Sequence, residues 1–225
     1  MSDLHFTPRA FDLLEELAAN NHKDWYTQHR EEIEIYLRDP FARVLEAVTQ
    51  HLAQTKVPLA GGAKTMFRQH RDVRFSKDKS PYSTHVSGLL TPSGTKSENQ
   101  GLLFLQLDSS GGMIACGFYK FKADQLAGIR DKILAEPEVF SRVLEELDEA
   151  FLSLSDEDKL TKMPRGYEAH AAHPHAEYLK LKSLIAQTSL SREVWISGDI
   201  LDRIVEMAKG CEFLLAFGEV KSVSN

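Results

Sequence analysis

The sequence predicts an α+β fold: one domain over residues 1–225, with a mostly antiparallel central sheet flanked by helices from both ends of the chain. Three observations point there. Apolar residues recur at helical spacing before residue 53 and again after residue 123, whereas short apolar runs joined by a Gly-containing turn occupy the middle. No internal repeat and no Gly/Ser-rich linker divides the 225 residues, a length that buries a core without disulfides.

Thr7 followed by Pro8 reads as the N-cap and first residue of a helix carrying Phe11, Leu14 and Leu17 on one face. Asn21 is placed to cap a second helix with Trp25, His29, Ile33 and Tyr36 along one side, and Asp39-Pro40 to start a third bearing Phe41, Val44, Leu45, Val48 and Leu52. Residues 57–63, with Pro58 and Gly61-Gly62, read as a loop. From 66 to 75 the pattern alternates. As a strand it sets Arg68, His70, Asp72 and Arg74 on one face and Phe67, Gln69, Arg71, Val73 and Phe75 on the other.

Residues 76–81 follow as a tight loop, 82–90 as a second extended piece, and 92–101 as the most loop-like and mobile segment. Runs 102–107 and 113–119 form a hairpin around residues 108–112. The first run is apolar almost throughout, which predicts an interior strand covered on both faces. A helix with Leu126, Ile129, Ile133 and Leu134 comes next, and Pro137 opens another that buries Phe140, Val143, Leu144, Leu147 and Phe151. Residues 153–163 read as a turn or short hairpin, Pro174 starts a short helix to residue 181, and Ile200, Leu201, Ile204, Val205 and Ala208 mark a last helix before an expected frayed end at 220–225.

A hydrophobic content of 42%, charged content of 27% and net charge of −6 are those of a globular protein rather than a nucleic-acid coat. No apolar run approaches the roughly 20 residues of a membrane span. The N-terminus lacks a basic region followed by an apolar one, so a cytoplasmic protein with no membrane partner is expected. Cys116 and Cys211 stand outside any Cys-x-x-Cys pattern and read as buried, reduced thiols.

Against the acidic balance, Lys64, Arg68, Arg71, Arg74, Lys77 and Lys79 gather with only Asp72 and Asp78 between them. This segment resembles the signature of domain of unknown function 2461, a family of bacteria and some fungi, at Arg71, Asp72, Arg74, Phe75, Ser76, Asp78, Lys79, Pro81 and Tyr82. Asn20-Asn21-His22-Lys23-Asp24-Trp25-Tyr26 resembles the family's early signature, and Pro164-Arg165-Gly166-Tyr167 with His173-Pro174 a third, Arg165 replacing a Lys. The resemblance spans about residues 6–218 and implies one domain; it implies no activity and no cofactor.

Three readings of the basic stretch follow. In the first, Arg71, Arg74, Ser76, Lys77 and Lys79, joined by Arg165 and Tyr167, bind an anionic, phosphorylated small molecule through guanidinium forks and loop N–H groups. In the second, the same patch follows a nucleic-acid backbone; in the third, its arginines form internal salt bridges in a structural or partner-binding module. Catalysis has thinner support. His70 beside Asp72 has the composition of a general base, with His85 shortly beyond, but no nucleophile motif or phosphate-binding loop accompanies them. His170, His173 and His175 form a His-x-x-His-x-His run without a Cys to complete a zinc set, and no metal site is assigned.

Overall fold

The computed structural model describes residues 4–96 and 101–219. The expected frayed tail 220–225 and part of the expected mobile loop, 97–100, lie outside the described residues. Helix α1 (Pro8–Ala19) begins as predicted, with Thr7 extended at its N-cap and Phe11, Leu14 and Leu17 fully buried. The next helix is capped differently: His22 accepts the Trp25 N–H, and Asn21 is engaged elsewhere.

α2 (Lys23–Gln28) and α3 (Arg30–Ile33) lead through a π turn, Glu34–Arg38, into α4 (Asp39–Leu52) without a break. Pro40 has no N–H to donate, and the wider turn just before it absorbs the misfit.

The sheet has the order β1 (His85–Leu90), β2 (Leu102–Asp108), β3 (Met113–Phe118), β4 (Leu184–Ser189), all neighbours antiparallel. Its register places Leu105 opposite both Gly88 and Ile114. Leu103, Leu105 and Leu107 thus share a face with Ile114, Cys116 and Leu90, and α4, α9 (Ile200–Gly210) and α10 (Glu212–Gly218) pack on this side. Gly88 permits the approach: a Cβ there would stand 2.8 Å from a Leu45 methyl of α4. Both cysteines are buried in this layer.

β2 is interior, as predicted, but only one of its faces is under helices. Leu102, Phe104 and Gln106 face the other way.

The predicted 66–75 strand is not a ladder. Met66 and His70 make isolated bridges to Gly88 and Tyr82. Between them the Gln69 amide inserts, donating to the carbonyls of Ser83 and His85. A side chain has replaced the strand partner, though alternation persists, with Gln69 buried and His70, Asp72 and Arg74 exposed. On the far edge, Leu154 bridges Ala186 and the Ser155 N–H donates to the Ile185 carbonyl at 2.8 Å.

α5 (Ala123–Ala135) and α6 (Pro137–Glu149) follow β3, and the short α7 (Ala176–Leu179) and α8 (Arg192–Ser197) flank β4, a strand that the helical spacing around it hid. Phe151 is not on the buried side of α6. It lies past the helix end at φ +57° and is 98% exposed. The Leu152 N–H bonds back to the Leu147 carbonyl and the Phe151 N–H to that of Asp148, a helix-ending pair of bonds that needs a left-handed residue between them. Among the described residues, no helix is long and apolar enough to cross a membrane.

Glycine occupies the left-handed conformation without the Cβ clash that costs phenylalanine about 1 kcal/mol or more. Phe151→Gly is therefore expected to stabilise the protein by about 1 kcal/mol, read as a higher urea midpoint with an unchanged slope.

Candidate functional site: a clasped basic arm beside an open cleft

Residues 66–83 form an arm folded along β1, and the sequence holds it by side chains that imitate backbone. The Asn21 amide donates to the Tyr82 carbonyl at 2.9 Å and accepts the Tyr82 N–H at 3.0 Å, as a neighbouring strand would. The Tyr26 ring stacks on Tyr82 with centroids 3.9 Å apart, and His70 meets both tyrosines edge-on. The Asn-Asn…Trp-Tyr segment and the basic segment, distant in sequence, meet here.

Within the arm most cations hold the loop closed. Arg71 donates to Asp78, to the Ser80 carbonyl at 3.0 Å and to Ser76 Oγ at 3.5 Å. Arg74 forks onto Asp72 at 3.0 and 2.7 Å, and the Lys79 ammonium donates to the carbonyls of Val73 and Arg74 at 2.9 and 3.4 Å. Hydrogen bonds from Ser80, then Arg71, hold the Asp78 carboxyl at about 2. Lys77 and Arg68 form no hydrogen bond or ion pair among the described residues. Phe75 stands at the tip, 96% exposed.

Arg165 and Tyr167 lie on other elements. The Tyr167 hydroxyl donates to Asp131 of α5 at 2.7 Å with Arg130 over its ring, and burial together with that carboxylate pushes its pKa up to about 12. No hydrogen bond, ion pair or ring contact joins this pair to the arm among the described residues. The expected anion-binding residues are thus divided between two places.

The histidines singled out in the sequence have separate partners, His170 lying with its ring centre 6.5 Å from that of Tyr167. His70 is held by the tyrosines while Asp72 is taken by Arg74, so no His–Asp pair forms there. His85 Nε2 lies 3.1 Å from Ser83 Oγ, and burial pushes its pKa down. His175 is buried against α6, its Nε2 3.0 Å from both Ser141 Oγ and the Pro137 carbonyl, while His173 Nδ1 accepts the His175 N–H. Among the described residues, no three of His, Cys, Asp or Glu converge on a point that would suit a metal ion.

A concavity lies elsewhere, one the sequence did not announce. The sheet face turned away from the helices is the floor of a cleft of about 1010 Å³. Leu89, Leu102, Phe104, Ala115 and Ile185 make the floor, and Phe67, at the root of the arm, makes one wall. The opposite wall comes from the 155–158 segment, which turns away after the Leu154 bridge to β4 and where Gln187 donates to Glu157 at 2.9 Å. Tyr119, Lys120, Lys182 and Ser183 close one end. Alternation along β2 and β3 marks Phe104, Met113 and Ala115 as sharing a face; what the sequence hid was that no helix covers it. None of Arg71, Arg74, Lys79, Arg165 or Tyr167 lines this cleft among the described residues.

A four-stranded antiparallel sheet backed by helices on one side and bordering a cleft on the other defines an α+β protein. The chain belongs to the family described as Conserved hypothetical protein, DUF2461, whose profile matches residues 9–217. No curated protein matches it.

Two outcomes test the arm. Asn21→Ala leaves the Tyr82 N–H and carbonyl without partners and is expected to cost about 2 kcal/mol, with faster amide exchange at Tyr82 than in α1. Asp78 is more acidic folded, at about 2, than its ordinary 3.8, so the stability it contributes is present above pH 3.8 and is lost as pH falls through 2. The melting temperature of Asp78→Asn should accordingly lie below that of the parent at pH 7 and converge with it towards pH 2.

Proposed function

We propose that the protein is a small-molecule-binding domain whose cleft takes an amphipathic organic compound, its apolar body lying on the sheet. One observation carries this reading: the sheet face on which no helix packs is apolar and lies at the base of a concave cleft. Its volume of about 1010 Å³ is at the upper end of the roughly 300–1,000 Å³ of small-molecule sites. Leu89, Leu102, Ala115 and Ile185 are already buried at its base, and Phe104 and Phe67 supply the exposed apolar surface that a ligand would cover. Polar groups stand at the margin, which is where a ligand's polar end would be oriented.

The readings built on the basic arm have less support. Arg71, Arg74 and Lys79 already have internal partners, so a phosphate or a nucleic-acid strand bound there would have to displace Asp78 or Asp72, or rely on Arg68 and Lys77. The internal-network reading of these cations fits their geometry better.

Binding of n-alkanols, measured by calorimetry, tests the proposal. Each methylene taken out of water contributes about 0.8 kcal/mol, so affinity should rise about fourfold per carbon until the chain outgrows the floor. Ala115→Trp, which fills the floor, should abolish binding with an unchanged circular dichroism spectrum. Absence of binding would overturn the reading, as would sedimentation showing that a second copy of the chain covers the cleft. A melting-temperature rise with inorganic phosphate or an oligonucleotide, lost in Lys77→Ala, would instead favour the arm.

A further inference from the structure

We infer that the ligand of the cleft carries an anionic head group, a carboxylate or a phosphate, and that Lys120 and Lys182 receive it. This rests on the cleft being a ligand site and adds the chemistry of one end of it.

The end in question is built where β3 leaves the sheet. Lys120 has φ +50°, a left-handed conformation that a lysine rarely adopts. It is held there from the β4 side: the Lys120 N–H donates to Ser183 Oγ at 3.0 Å and the Phe121 N–H to the Lys182 carbonyl at 3.3 Å. The kink ties the two lysine-bearing segments together at the cleft's margin. Backbone held in a disfavoured conformation by its surroundings is concentrated at ligand sites.

The two lysines there have no carboxylate in contact. Neither Lys120 nor Lys182 forms an ion pair among the described residues, whereas Lys159 and Lys180 both bind Glu177, at 2.9 and 2.5 Å. The Lys120 ammonium meets the Tyr119 side chain, as a hydrogen-bond donor to its hydroxyl and 4.8 Å from its ring centre, and Asp158 acts on it only at longer range. On the opposite wall Glu157 accepts the Gln187 amide, and Asp158, also lining the cleft, reaches Lys120 only at longer range, so neither lysine has a carboxylate in contact. The Tyr119 and Ser183 hydroxyls at the same end supply donors for a carboxylate or phosphate oxygen.

Four decyl probes sharing one chain separate head group from tail: decanoate, decyl phosphate, 1-decanol and decylamine, titrated calorimetrically at pH 7 and low salt. Decanoate or decyl phosphate should bind at least tenfold more tightly than decanol, and decylamine more weakly than decanol. Whichever anion is preferred identifies the head group. The double variant Lys120→Met/Lys182→Met should bring the preferred anion down to the affinity of decanol and leave decanol unchanged. Lys120→Gly, which relieves the left-handed residue, should raise the melting temperature while weakening the anion's binding. Equal binding of decanol and the anions, or a preference for decylamine, overturns the head-group assignment and leaves the cleft reading standing. No binding by any of the four removes the cleft reading itself.

Discussion

The structure depends on the division of labour along β2. Leu103, Leu105 and Leu107 point into the helical layer, and Leu102, Phe104 and Gln106 point out of it, so a single register decides both the core and the cleft. A slip of one residue would exchange the two faces. Helices come from both ends of the chain and settle on the same side, with Gly88 letting α4 approach β1 closely. Since the layer is one-sided, the opposite face is roofed by the segments bordering the sheet, which rise as walls around the cleft and bury Leu89, Leu102, Ala115 and Ile185 at its base.

The basic arm is the second organising feature, and its charges behave as fasteners. Exposed ion pairs of this kind contribute little individually. Here they are short-range and coupled: Asp78 serves Ser80 and Arg71, and Arg71 serves Asp78, Ser76 and a carbonyl. The result is a closed loop from Arg71 to Ser80 with Phe75 exposed at its tip. A motif read as a binding loop on charge alone is therefore, in its geometry, largely self-satisfied.

Much of the fold was legible in the sequence because its cues were local. Pro8 and Pro137 marked helix starts, the Asp108-to-Gly112 turn marked the hairpin, and leucine-rich β2 marked an interior strand. Cues that depend on distant partners were not legible. Asn21 looked like a helix cap because nothing nearby reveals that its amide meets Tyr82; the alternation of 66–75 looked like a strand because Gln69's substitution for a ladder leaves that pattern intact. β4 was missed because its run is short and flanked by helical spacing. The cleft was hidden for a related reason: an apolar residue facing a cavity and one facing a helix look alike in sequence, and Glu157 and Lys120 look like ordinary surface charge.

The isolated bridges at both margins of the sheet have a consequence for how the protein meets its own copies in a crowded solution. Met66 and the 60–70 segment occupy the outer side of β1, and Leu154 and Ser155 occupy that of β4, each interrupted before it becomes a true strand. Part of each outer row of peptide groups is thereby engaged, and the irregularity of the segments engaging it gives the next chain no straight row to extend. The sheet is kept short by its own loops.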